Sequence, residues 1–182
     1  DVAASDRSFC ALVRDGTDAQ RERYLPGVAD GSIRFLSVAA TEPDSGADMS
    51  TLESKGRRDG PGWVLSASKV LISLAEHTRV LILLVSTDEG PTLFLLDKED
   101  VGGALEVQPI EMITNRMPTS LYLDELYVHD DCRLGPPGKG LACLMKGFAP
   151  RRVLAAGGGL GAPRVMLPPP PPHAKGGETF GR

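Results

Sequence analysis

"TLESKGRRDGPGWVLSASKVLIS", residues 51–73, decides the fold class. Asp59-Gly60 and Pro61-Gly62 supply a turn between two extended runs, so the stretch reads as a β-hairpin. The pattern continues on both sides. "VLILLVS" (80–86) and "PTLFLLDK" (91–98) read as buried strands joined by a glycine turn. "LEVQPI" (105–110) and "SLYLDELYV" (120–128) add two more, and "IRFLSVAA" (33–40) precedes the hairpin. Six or seven strands with short connections predict a barrel or sandwich.

The flanks differ. Residues 1–30 read as helical, with Tyr24 and Leu25 ahead of Pro26 marking a helix end. After "RLGPPGKG", Leu141, Leu144, Met145 and Phe148 recur at helical spacing. "RRVLAAGGGLG" extends that helix only against its glycines, each about 1 kcal/mol worse than alanine. "LPPPPPH" (167–173) favours polyproline II and excludes helix. The order is therefore helix, β-domain, helix.

Bulk composition narrows the function. The 182 residues suffice for one domain with a core, or for one domain and part of a second. A net charge of -4 and 5% aromatics offer neither a general basic face nor stacking platforms, so nucleic acid is not an expected partner. Cys10, Cys132 and Cys143 lie far apart, and no histidine pair has metal-ligand spacing, so no metal site is expected. An odd cysteine count fits a reducing compartment. The apolar run "VLILLV" (80–85) is too short to cross a bilayer, and no signal peptide is visible. A cytoplasmic or organelle-matrix protein is expected. The start at Asp1 without Met reads as a processed or truncated piece.

Three stretches stand out as candidates for chemistry. In "AATEPDSGAD" (39–48), Thr41 follows a strand, Pro43 stiffens the turn, and Gly46 permits unusual dihedrals. Amides near Gly46 to Asp48 are suited to an anionic or carbonyl-rich ligand. The alternative is a capped turn, with Asp44 or Asp48 capping a short helix. "KVLIS" (69–73) places the Ser73 hydroxyl at a strand edge, with Leu71 and Ile72 on opposite faces. Its alternative is core packing with Ser73 starting a turn. In "PRRVLAAGG", Arg151 or Arg152 could pair with phosphate or carboxylate, or simply flank a solvated helix.

Taken in order, these stretches resemble the acyl-CoA dehydrogenase family over nearly the whole chain. "GTDAQRERYLPGVADG" (16–31) is similar to the helix and turn before that family's middle domain. "AATEPDSGAD" resembles A-x-T-E-P-x-x-G-S-D, and "GWVLSASKVLIS" resembles G-Y-x-L-N-G-x-K-x-x-I-T. "LYLDELYV" and "RLGPPGKG" are similar to F-x-x-V-x-V-P and L-G-x-x-G-x-G. "RRVLAAGGGLG" resembles the start of the family's C-terminal bundle, and "ETFGR" its R-x-x-F-G ending.

The resemblance implies an α+β fold in three parts. These are the end of an N-terminal helical domain (1–32), a central β-barrel domain (33–134) and the beginning of a C-terminal helical bundle (135–182). It implies FAD as cofactor and an acyl-CoA substrate, from which a carboxylate removes the pro-R α-proton. Flavin N5 takes the β-hydride, giving a trans-2-enoyl-CoA, and an electron-transfer flavoprotein receives the electrons. A homotetramer or dimer is implied, in the cytoplasm, or in the mitochondrial matrix of a eukaryote.

Carried over by position, Val38, Ala40, Thr41, Gly46 and Ala47 surround FAD, with Thr41 bonding the pyrimidine end of the ring. Leu71, Ile72 and Ser73 form the second flavin segment, where Leu71 covers the ring and Ser73 bonds near N5. Thr179 and Phe180 reach FAD, often across a subunit interface. Ala47 and Arg151 face the substrate. Three residues depart from the family pattern: Ala47 where Ser is usual, Leu74 where Asn is common, and Gly177 where an arginine faces the FAD phosphate. No residue matches the catalytic base; Glu42 and Glu178 are carboxylates at other positions. The alternatives are a non-catalytic family subunit and a related flavoenzyme with different chemistry, such as nitroalkane oxidation or flavin monooxygenation.

Overall fold

The computed structural model describes residues 2–34, 36–46, 48–49, 51–113, 118–148 and 156. The chain divides after Gly147 into two compact units, and the first, Asp1–Gly147, holds all the described strands.

Two helices open this unit, α1 (Val2–Asp15) and α2 (Asp18–Asp30). Thr17 separates them with a capping box, its hydroxyl accepting from the Gln20 amide while the Gln20 side chain accepts from the Thr17 amide. Helix α2 does not end at Pro26, contrary to the sequence expectation. It runs through the proline to Gly31, which stands in the left-handed region at φ 82°. The Ile33 amide then donates back to the Gly27 carbonyl at 2.7 Å and the Ser32 amide to the Asp30 carboxylate, so the left-handed Gly31 and these bonds, not the proline, end the helix.

The helices are fastened to the sheet by side chains. Gln20 Nε2 donates to the carbonyls of Asp131 and Arg133. Arg23 pairs with Asp97 and Asp100, and Arg14 donates to the Cys143 carbonyl. Residues 140–148 are helical, as the spacing of apolar residues predicts.

The strands are β1 (Leu36–Ala39), β2 (Lys55–Asp59), β3 (Gly62–Ser73), β4 (Val80–Thr87) and β5 (Gly90–Asp97). The short helix α3 (Lys98–Val101) and a 3-10 turn lead to β6 (Leu105–Pro109), β7 (Pro118–His129) and β8 (Arg133–Leu134). Both expected tight turns form, at Gly60 (φ 55°) and Gly90 (φ 106°). Strand β1 lies parallel to β4, from Leu36 opposite Val80 to Ala39 opposite Leu83. Buried on both faces, β4 reads as the continuous apolar run that such a strand requires.

The sheet does not close into a barrel. Its strand path is β6-β7-β3-β2-β4-β5-β8, with β1 beside β4, and it stops at β6 and β8. Helix α3 and the 3-10 turn carry the chain off the edge of β5, so β6 pairs with β7 alone. Strand β8 offers only two residues, both paired to β5. The predicted β-barrel domain is thus an open mixed sheet within an α+β chain. Its two halves still share one core: Leu81, Leu83 and Leu96 belong to the same buried cluster as Leu105, Leu121 and Leu123. Trp63 and Phe94 meet edge to face in that cluster, with ring centroids 5.6 Å apart.

Candidate functional site

Strand β1 ends at Ala39 and the chain turns at once. The Glu42 amide donates to the Ser45 carbonyl at 2.8 Å and the Ser45 amide returns to Glu42 at 3.3 Å. Ser45 Oγ donates to the Asp48 carbonyl at 2.6 Å. This closes a tight loop in which no described residue from 40 to 49 is helical, in place of the capped-helix alternative. Glu42 and Ser45 point inward and are buried, whereas Pro43 and Asp44 are exposed.

Strand β3 meets this loop at an irregularity. Lys69 lies opposite Leu121, but Ile72 lies opposite Thr119, so β3 carries an extra residue at Val70–Leu71. The Val70 amide donates to the Thr41 carbonyl at 3.0 Å. Leu71 stands at φ 57° and the residue is 54% exposed. A left-handed conformation costs a non-glycine residue about 1–2 kcal/mol, and an exposed leucine gains nothing back from burial. Leu74, where the family pattern has Asn, also lies at positive φ (61°), a region that Asn enters more easily than Leu.

The described residues among those predicted lie on β1, the loop after it and the end of β3. Val38 is half-buried within β1, and Ala40 is buried with its carbonyl toward Lys69. The half-buried Thr41 and the exposed Ser73 have hydroxyls bonded to no other described residue. The Ser73 carbonyl accepts from Ser37 Oγ at 2.7 Å, which ties the end of β3 to β1. Ile72 buries its side chain in the core and offers only backbone. Gly46 is not at positive φ, so the expected dihedral freedom is not its use; a Cβ there would meet no described residue beyond its chain neighbours within 4 Å. Ala47, Arg151, Thr179 and Phe180 lie outside the described residues.

The sequence reading missed what holds the two segments together. Lys69 is fully buried, and its ammonium lies 2.6 Å from Glu42 Oε1 and 3.3 Å from the Ala40 carbonyl. The amides of Glu53 (2.6 Å) and Ser54 (3.1 Å) also donate to the Glu42 carboxylate. Burial alone would raise the Glu42 pKa, but hydrogen bonds from Lys69, Ser54 and Glu53 hold it below the ordinary carboxylate value. Burial pushes Lys69 down, and Glu42 offsets part of that shift. With its oxygens so occupied and only 3% of the residue exposed, Glu42 is a structural carboxylate and not a base that reaches a substrate. The signal was present: Leu65, Ala67 and Lys69 alternate on one buried face, so the lysine needs an acid.

A second charged cluster sits at the β2–β3 turn. Asp130 accepts from Arg58 (2.6 Å), Trp63 Nε1 (2.7 Å) and Arg133 (3.0 Å). It joins β7–β8 to the hairpin. Among the described residues, no group of three or more His, Cys, Asp or Glu is placed to hold a metal ion. Among the same residues, no helix is long and apolar enough to cross a membrane.

Residues 37–124, which contain both loop and bulge, match the model of the acyl-CoA dehydrogenase middle domain. Over that stretch the chain carries a middle domain of the acyl-CoA dehydrogenase family. It is 28% identical over 162 residues to an acyl-CoA dehydrogenase of Mycobacterium tuberculosis, covering 86% of this chain and 42% of that protein. It also resembles the glutaryl-CoA dehydrogenase of Mycobacterium smegmatis, solved in complex with FADH2. There the identity is 25% and the TM-score 0.72, over 81% of this chain and 38% of the other. The acyl-CoA dehydrogenase of Geobacillus kaustophilus shares the fold with a TM-score of 0.82 at 21% identity, over 97% of this chain and 48% of that one. The chain therefore spans less than half the length of the relatives it matches.

Proposed function

We propose that this chain supplies the flavin-holding part of an FAD-dependent acyl-CoA dehydrogenase. The parent enzyme introduces an α,β double bond into an acyl-CoA thioester, yielding a trans-2-enoyl-CoA, and passes electrons to an electron-transfer flavoprotein. The observation that carries this reading is the meeting of the Thr41 carbonyl with the Val70 amide at the bulge, beside an exposed leucine at positive φ, with the Thr41 and Ser73 hydroxyls bonded to no other described residue. Those features suit a flat heteroaromatic ring with polar edges. When bound, FAD supplies the hydride acceptor.

In this reading Thr41 hydrogen-bonds the pyrimidine edge of the ring and Ser73 the region near N5. Leu71 covers the ring face, and Val38, Ala40, Gly46, Ala47 and Ile72 line it with backbone and small groups. Fixed donors at the pyrimidine edge stabilise the negative charge that gathers there on reduction. Thr179 and Phe180 complete the cofactor site, and Ala47 and Arg151 face the acyl-CoA. Residues 1–32 end an N-terminal helical domain, 33–134 are the middle domain, and 135–182 begin a C-terminal helical domain. The assembly is a homotetramer or dimer, in the cytoplasm or the mitochondrial matrix.

An FAD titration tests this reading. A red or blue shift of the flavin bands on adding the folded chain supports it. Thr41→Val and Ser73→Ala should each weaken FAD by about fivefold, the worth of one hydrogen bond of about 1 kcal/mol. A folded chain that leaves the flavin spectrum unchanged contradicts it.

A further inference from the structure

Resting on the FAD reading above, we infer that the buried Glu42–Lys69 pair is a positioning device that sets the spacing between Thr41 and the Leu71–Ser73 bulge. The pair bridges the loop and β3 across 27 positions of sequence, with its charges 2.6 Å apart. Both side chains are essentially inaccessible. The Lys69 stem lies among Ala39, Ala67, Leu81, Leu83, Leu121 and Leu123, an environment that rewards an apolar residue. A buried pair of this kind is often matched or bettered in stability by apolar residues of similar volume. Stability alone therefore does not account for it.

Its place does. Glu42 directly follows Thr41, and Lys69 lies two positions before Leu71. The Val70 amide, at the bulge, is held to the Thr41 carbonyl between them. Glu42 further anchors the loop through the Glu53 and Ser54 amides. An ion pair with three additional hydrogen bonds, including the one from Lys69 to Ala40, fixes direction as well as distance. An apolar contact at the same place would fix neither.

The test compares the full chain with the double variant Glu42→Leu/Lys69→Met, which removes both charges and retains volume. Two quantities are measured: the urea midpoint and the FAD affinity, by quenching of flavin fluorescence. The expected result is a midpoint equal to or above that of the parent, with FAD bound at least tenfold more weakly. A double variant that folds and binds FAD as tightly as the parent overturns the inference while leaving the FAD reading intact. A parent chain that folds but binds no FAD overturns that reading instead. If the double variant does not fold, Glu42→Asp decides, since it keeps the charge and shortens the arm by one methylene. Tenfold weaker FAD with an unchanged flavin-free melting temperature supports positioning; unchanged affinity overturns it.

Discussion

The Val70 amide donates to the Thr41 carbonyl at 3.0 Å, joining the loop after β1 to a bulge in β3. At the same bulge Leu71 stands at φ 57° and is exposed to solvent. One backbone irregularity thus carries both the contact between the two segments and the exposed apolar surface beside it.

Replacing Leu71 by glycine separates stability from binding. Glycine relieves a left-handed strain of about 1–2 kcal/mol but adds about 0.5–1 kcal/mol of backbone entropy. The urea midpoint of Leu71→Gly should change by less than about 1 kcal/mol equivalent, while FAD affinity falls. A large loss of stability would mean that Leu71 packs against protein.

Lys69→Met alone should be severe. It leaves the Glu42 carboxylate buried without its cation, a change worth about 3–5 kcal/mol. Adding Glu42→Leu should recover most of that loss. A double-mutant cycle by urea denaturation measures the coupling, and additive losses would contradict it.

Asp130 should govern the acid limb. Hydrogen bonds from Arg133, Trp63 and Arg58 outweigh burial and hold it far below its unfolded value of 3.8. The folded state therefore binds fewer protons than the unfolded one between those two values. Its contribution is complete above about pH 5 and is lost as pH falls below about 4. Asp130→Asn should cost about 1–2 kcal/mol at pH 7, the site being partly exposed. It should also flatten the fall in urea midpoint between pH 5 and pH 3. An equally steep fall in the variant would assign the acid limb to other groups.

Gly138 approaches the β4–β5 turn closely. A Cβ there would lie 1.9 Å from the Glu89 carbonyl oxygen, and its φ is 67°. Gly138→Ala should lower stability by about 1–3 kcal/mol through strain and displacement of the turn. A melting curve matching the parent would show that the 135–139 segment packs elsewhere.

The strands were legible because turn glycines and apolar runs are local signals: Gly60, Gly90 and the run from Val80 to Val85 suffice. The loop after β1 and the end of β3 were legible as chemically distinctive, and the Val70 amide joins them at the Thr41 carbonyl. Closure was not legible, since whether β6 reaches β8 depends on how α3 leaves the sheet and on a two-residue final strand. The end of α2 was misplaced because Gly31 and Ile33, not Pro26, decide it. The Glu42–Lys69 pair needed knowledge of which strand face is buried and which loop covers it. The strain at Leu71 was invisible, because leucine carries no mark of positive φ as glycine does.

The most direct measurement is the visible spectrum of the intact gene product under anaerobic conditions, before and after a panel of acyl-CoA thioesters. The account predicts flavin bands that bleach with at least one acyl-CoA. Flavin bands that no acyl-CoA bleaches, or no flavin retained by folded protein even after FAD is added, would contradict it.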